Sequence, residues 1–196
     1  MKTVKHDRRS QRTHRLLAGA LVALLFDHRY SDVTVQDILD RADIGRTTFY
    51  RHYWDKDDLL ASEMERVLDV LSRLTPLGPA DHMLPFPSFG IFQHMKEQQE
   101  LYRVLARGQA LEVVLTTIKT RLRELLEQQW CQSLAKQSDD LGVRVTAQAV
   151  VGTFVTLLQW WMENDLLLSP AQMDAYFHHL TVPGVQAVLH IKAEAT

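Results

Sequence analysis

At 196 residues the chain is long enough for one ordinary domain or two small ones. With 46% hydrophobic and 23% charged residues it can bury a core, which excludes a wholly disordered chain. The formal charge of −2 hides an uneven distribution: residues 1–56 hold 11 Lys/Arg against 7 Asp/Glu, and residues 57–196 hold 11 against 17. A basic head on an acidic body is expected where the head meets a polyanion. The lone Cys131 excludes an intrachain disulfide and a cysteine-rich zinc site, and reads as a small buried hydrophobe. The basic N-terminus leads into no signal-peptide cleavage pattern, and no apolar run approaches the roughly 18–20 residues that a membrane span requires. The expected location is the cytoplasm.

Helical period runs through nearly every segment and no alternating strand stands out, so the expected class is all-α. Leu17, Ala20, Leu21, Leu24 and Leu25 share one face of a first helix from about Arg9 to Asp27. A second, short helix opens at Thr34, whose hydroxyl can cap it with Asp37 three residues on, and runs to about Arg41. Asp43-Ile44-Gly45 breaks the pattern before a third helix, Arg46 to about Tyr53, and Asp55 is the expected N-cap of a long fourth. Prolines 76, 79, 85 and 87 make residues 75–87 a loop.

Further helices are expected over about 88–98, 99–107 and 110–137, with Gly108 between the last two and a polar turn at 138–142. The next, about 145–164, is apolar nearly all round and therefore buried on more than one side. Ser169-Pro170 is an N-cap followed by Pro at the first helical position, opening a helix to about Leu180 that Pro183-Gly184 stops.

Two short helices joined by a three-to-four-residue turn behind a longer supporting helix form a helix-turn-helix. Small Ala42 permits close approach at the turn, and Val35, Ile38, Leu39, Ile44 and Phe49 supply a miniature core. Arg46, Thr47, Thr48, Tyr50 and Arg51 are left for base edges and phosphates in a major groove.

The stretch TVQDILDRADIGRTTFYRHYWDKDDLL, residues 34–60, resembles the DNA-binding signature of the TetR family of repressors, in order and in spacing. The resemblance implies that Thr34 opens the second helix beside the DNA backbone and that Gln36 faces the groove. It implies that Arg46, Thr47 and Tyr50 read bases or adjacent phosphates, and that Thr48, His52 and Lys56 hold phosphates. Arg46 is the expected base reader, because Arg bidentate to guanine is the commonest specific contact. Asp43 and Arg29 stand where the family commonly has Gly; Asp is among the residues that tolerate positive φ. The six Lys/Arg of residues 2–15 read equally as an arm along DNA or as a solvated end.

The expected division is a DNA-binding domain over 1–56 and a helical effector-binding and dimerisation domain over 57–196. In the family the helical body binds a small molecule and supplies dimer contacts. The expected homodimer seam lies on the apolar helix near 145–164 and the helix after Pro170, with Ala149 and Gly152 allowing close packing and Tyr176, Phe177 and Leu180 filling it. Met64, Phe89, Phe92, Met95, Tyr102 and Trp161 are the candidate walls for a small apolar effector. The overall expectation is an effector-released repressor on pseudo-palindromic, double-stranded operator DNA. Alternatives are an activator, a metal sensor or a helical interaction module.

No catalytic motif, cofactor or membrane partner is indicated. His178 and His179 point about 100° apart on a helix and make a poor chelating pair.

Overall fold

The computed structural model describes residues 2–74, 84, 86–106, 110–134 and 140–189, with side chains from residue 10 to 73 in the first stretch. Among these every regular element is helical: α1 (Lys2–Asp27), α2 (Val35–Ala42), α3 (Arg46–Tyr50), α4 (Lys56–Leu74), α5 (Ser88–Glu97), α6 (Gln99–Ala106), α7 (Ala110–Ser133), α8 (Leu141–Glu163) and α9 (Pro170–Leu189). A single 3-10 turn, Tyr30–Asp32, links α1 to α2. The expected loop over 75–87 and the break at Gly108 lie outside the described residues, apart from Leu84, Phe86 and Pro87.

Two compact units divide the chain. The first comprises residues 1–66 and 99–114, so it contains α1 to α3, the first half of α4, α6 and the start of α7. The second comprises residues 67–98 and 115–196.

Local chemistry explains most of the first unit. Thr34 and Asp37 close a reciprocal capping box: the Asp37 N–H donates to Thr34 Oγ1 (3.2 Å) and the Thr34 N–H donates to Asp37 Oδ2 (2.8 Å). Hydrogen bonding to Thr34 holds the Asp37 carboxyl below its ordinary range. Helix α2 ends at Asp43 in the left-handed region (φ 52°, ψ 49°), where its N–H donates to the Leu39 carbonyl. Arg29, the other departure from Gly, has ordinary extended backbone (φ −68°) and needs no glycine. Leu17, Leu21, Leu25, Ile38, Phe49 and Leu59 form the interior, while Val35 and Ile44 are half-buried.

Several features differ from expectation. Helix α1 begins at Lys2 instead of Arg9, since no Pro or Gly interrupts residues 2–18. Helix α3 ends at Tyr50, because Tyr53 turns inward and hydrogen-bonds His14 of α1. His14 Nε2 lies 2.7 Å from Glu63 Oε2 on α4, and Arg66 donates to the same carboxylate (2.6 and 3.1 Å). Burial opposes ionisation of Glu63, but the hydrogen bonds from His14 and Arg66 outweigh it and hold this carboxyl below its ordinary range.

In the second unit α9 packs against α5 and α8. Five aromatic rings fill the core, with centroid separations between Phe86, Phe92, Phe154, Trp161 and Phe177 of 4.8–5.4 Å. Helix α8 starts four residues earlier than expected because the Asp140 carboxylate accepts from the Val143 N–H (3.0 Å).

That helix also carries an 18-residue window of mean hydropathy 1.5, enough by length and composition for a membrane span, contrary to the sequence expectation. Its Val143, Val150, Phe154, Leu158 and Trp161 are buried within the unit. Helix α9, too, departs from expectation: it does not stop at Pro183 but runs on to Leu189. Pro183 and His179, whose carbonyl loses its helical donor, both lie on the exposed side where water can compensate, and Val185 and Leu189 beyond them are buried.

Two outcomes are expected. Replacing Asp43 by Gly relieves the left-handed residue and raises stability by up to about 1 kcal/mol, whereas Asp43→Val lowers it by about 1–2 kcal/mol; urea unfolding reads both. Because the Glu63 carboxyl is held low, its contribution is complete above the ordinary carboxylate pKa of about 4.3 and is lost as pH falls through the folded value. Glu63→Gln therefore flattens the acid side of the melting temperature against pH.

Candidate nucleic-acid interface

Helix α3 has only five residues, too few to persist alone. Phe49, fully buried, roots it in the interior, and its remaining side chains are thereby directed outward. Thr47, Tyr50 and Arg51 are exposed, Tyr50 by 54%, and Thr48 is half-buried. Thr34 and Gln36 are exposed at the start of α2.

The two helices meet across the turn through one polar chain. Arg46 Nη2 donates to Gln36 Oε1 (2.8 Å), and Gln36 Nε2 donates to Asp40 Oδ1 (2.7 Å). The family resemblance implied that Gln36 and Arg46 share one surface; the structure couples them directly. A guanidinium has five N–H donors, so most of the Arg46 fork remains available to a base edge or phosphate.

Lys56 is placed differently. Its ammonium donates to the carbonyls of Tyr30 (2.6 Å) and Val33 (2.8 Å), and lies 4.5 Å from the Tyr30 ring centroid. The Tyr30 hydroxyl in turn donates to the Asp57 carboxylate, and burial followed by this neighbour pushes the phenol well above its usual range. Lys56 thus fastens the 3-10 turn and the approach to α2 onto the first turn of α4, leaving one of three N–H donors. His52, half-buried, lies with its ring 6.1 Å from that of Tyr53.

Sequence reasoning missed two participants. One is the His14–Tyr53–Glu63 clamp, whose members are too far apart in the chain to be paired by eye. The other is Trp54, 87% exposed in the turn after α3. Its signal was present, since a Trp beside an N-capping Asp falls outside the apolar period.

The candidate effector residues are divided between the two units. Met64 and Tyr102 belong to the first unit and Phe89, Phe92, Met95 and Trp161 to the second. Five of the six are buried, with Phe92 and Trp161 inside the aromatic core, and Phe89 is 43% exposed. Two cavities, of about 610 and 360 Å³, open along α7 and α8, and none of the six lines either. Arg123 and Gln148 border both; Glu127 and Arg144 border the larger, and Lys119 and Gly152 the smaller.

Of the seam candidates, Tyr176 (56%), Leu180 (63%) and Ala149 are exposed and Gly152 half-exposed. Phe177 is the exception: it is fully buried against Phe86 and Phe154 and cannot face a partner. Val145, Trp160 and Val188 extend the exposed apolar strip. Among the described residues no group of three His, Cys, Asp or Glu could hold a metal ion.

Comparison with known proteins follows the same outline. The family described as bacterial regulatory proteins, tetR family, matches residues 17–62, and a transcriptional regulator C-terminal region matches residues 89–182. Over 71 residues the chain is 35% identical to an uncharacterized HTH-type transcriptional regulator, YxbF of Bacillus subtilis (strain 168), covering 35% of this chain and 19% of that protein. The match thus spans about a fifth of that relative's length. A TetR transcriptional regulator from Streptococcus agalactiae 2603V has a similar fold, with a TM-score of 0.58 at 24% identity over 93% of this chain and 99% of its own. The fatty acid degradation regulator FadR from Bacillus halodurans gives 0.58 at 17% identity over 88% and 95%. With both regions matched and the helix-turn-helix intact, the chain belongs to the TetR family and is a transcriptional regulator.

Proposed function

We propose that this regulator is a homodimeric repressor that reads a pseudo-palindromic operator and is released by a small-molecule effector. The observation that carries the reading is the outward Arg46 fork, held by Gln36 at the mouth of the helix-turn-helix. Arg46 reads a base, while Thr34, Thr47, Thr48, Tyr50, Arg51 and His52 supply backbone contacts around it. Lys56 serves the surface from behind, by keeping the 3-10 turn and α2 in register with α4.

Dimerisation uses the exposed strip of Ala149, Gly152, Tyr176 and Leu180, continued by Val145 and Val188. Large apolar side chains left in water along two adjacent helices favour burial against their own copy. One short head reads too few bases for specificity, and a twofold dimer doubles the count. Release follows if the effector binds more tightly to the dimer state that cannot engage both half-sites, and the ratio of affinities sets the extent. Residues 1–56 act as the DNA-binding part in this reading and the remainder as the effector and dimer part.

Selection of random duplexes on the purified chain, followed by titrations over a salt series, tests the reading. The expected winner is twofold symmetric, with log affinity falling by about 0.9 per phosphate contacted for each decade of salt. Arg46→Ala is expected to lose about 1–3 kcal/mol on that duplex and to relax preference at one base pair per half-site. No enrichment of any sequence, in the presence or absence of a cell extract's small molecules, contradicts operator reading.

Leu180→Asp should convert the dimer into a monomer in sedimentation while leaving the helical signal intact. A dimer that persists in this variant and in Tyr176→Asp places the seam elsewhere.

A further inference from the structure

The indole of Trp54, 87% exposed, is more open to water than any other large apolar side chain among the described residues. Its surroundings hold the backbone still. The Trp54 N–H donates to Asp58 Oδ2 (2.9 Å), and the Asp58 N–H donates to Asp55 Oδ1 (2.8 Å). On one side Tyr53 is buried and bonded to His14; on the other Lys56 is tied to two carbonyls. A rigid turn therefore presents a ring that nothing in the first unit covers.

From this we infer that Trp54 is a DNA-backbone contact, its ring lying on a deoxyribose flanking the half-site and its Nε1–H donating to a phosphate oxygen. The inference rests on the operator-reading function proposed above.

Three observations select DNA as the partner. The turn directly continues the helix that carries Arg46 and Tyr50, and Arg51 and His52 precede the indole in sequence. An indole has one donor and no acceptor, which suits a phosphate, an acceptor-only group. The Lys56 ammonium, which the sequence offered for that phosphate, is turned inward, so the outward-facing donor of this turn is the indole.

A neutral contact to sugar and phosphate leaves a distinct signature. Trp54→Ala should weaken the selected operator and an unrelated duplex alike, by about tenfold, with the slope of log affinity against log salt unchanged because no cation is removed. Trp54→Phe keeps a ring and loses the donor, so it should fall between. Trp130 and Trp161 are fully buried, so the difference in acrylamide quenching between the wild type and Trp54→Phe reports on Trp54. Operator DNA is expected to shield it.

Wild-type affinity in Trp54→Ala at every salt concentration, with quenching unaffected by operator, overturns the contact and leaves operator reading intact. Shielding that appears with protein concentration in the absence of DNA also overturns it, assigning the indole to a second copy. A wild type that enriches no duplex overturns the operator reading, and this inference with it.

Discussion

A five-residue helix does not hold itself together in water, because nucleation fixes several backbone angles for almost no internal hydrogen bonding. Helix α3 is that short, and the reading surface is built on it. Its persistence comes from outside: Phe49 rooted in the interior, Asp43 bent into the left-handed region ahead of it, and Tyr53 drawn onto His14 behind it. Removing any of these leaves Arg46 and Tyr50 chemically intact but without a defined position. The head is an arrangement in which buried groups far apart in the chain determine where exposed ones point.

The same constraint sorts the charged residues. An ammonium bonded to two backbone carbonyls and set over a phenol ring satisfies acceptors that the 3-10 turn leaves open, and so contributes to the fold. The guanidinium of Arg46 is held by a neutral amide oxygen instead, a bond weak enough to exchange for a base edge. Lys56 and Arg46 are both basic residues in one short motif, yet the first organises the surface and the second is presented by it.

How much of this the chain spelled out follows from distance. The Thr34–Asp37 box, the Asp43 turn and the Asp55 and Ser169 caps act over three or four residues, and their chemistry is readable in order. The inward turn of Lys56 depends on carbonyls 23 and 26 residues earlier, and the His14 clamp joins groups 39 and 49 residues apart. Nothing local announces either. In α9 a different ambiguity operates, because Tyr176, Phe177 and Leu180 are all apolar and a periodic pattern cannot say which stripe is core. Phe177 fell on the aromatic cluster, with Tyr176 and Leu180 on its flanks and exposed.

What selects that stripe is the turn between α8 and α9. Asp165 and Leu166 are consecutive non-glycine residues at positive φ (54° and 53°), a conformation that costs about 1–2 kcal/mol per residue. It is retained because the turn is held from several sides: Leu166 is buried, its carbonyl accepts from Lys96 Nζ (3.1 Å), and Trp161 Nε1 donates to the Leu168 carbonyl (3.0 Å). The Ser88 hydroxyl, donating to Asp174 (2.5 Å), fastens the first turns of α9 to α5. With the start of α9 so held, the rotation of the helix about its own axis is set before its apolar residues choose sides. Phe177 is then turned inward, one residue after Tyr176 and three before Leu180. A strained turn, anchored by buried Leu166 and by hydrogen bonds from a Trp and a Lys, is thus the physical reason that an apolar strip is left facing outward on a chain with enough core to hide it.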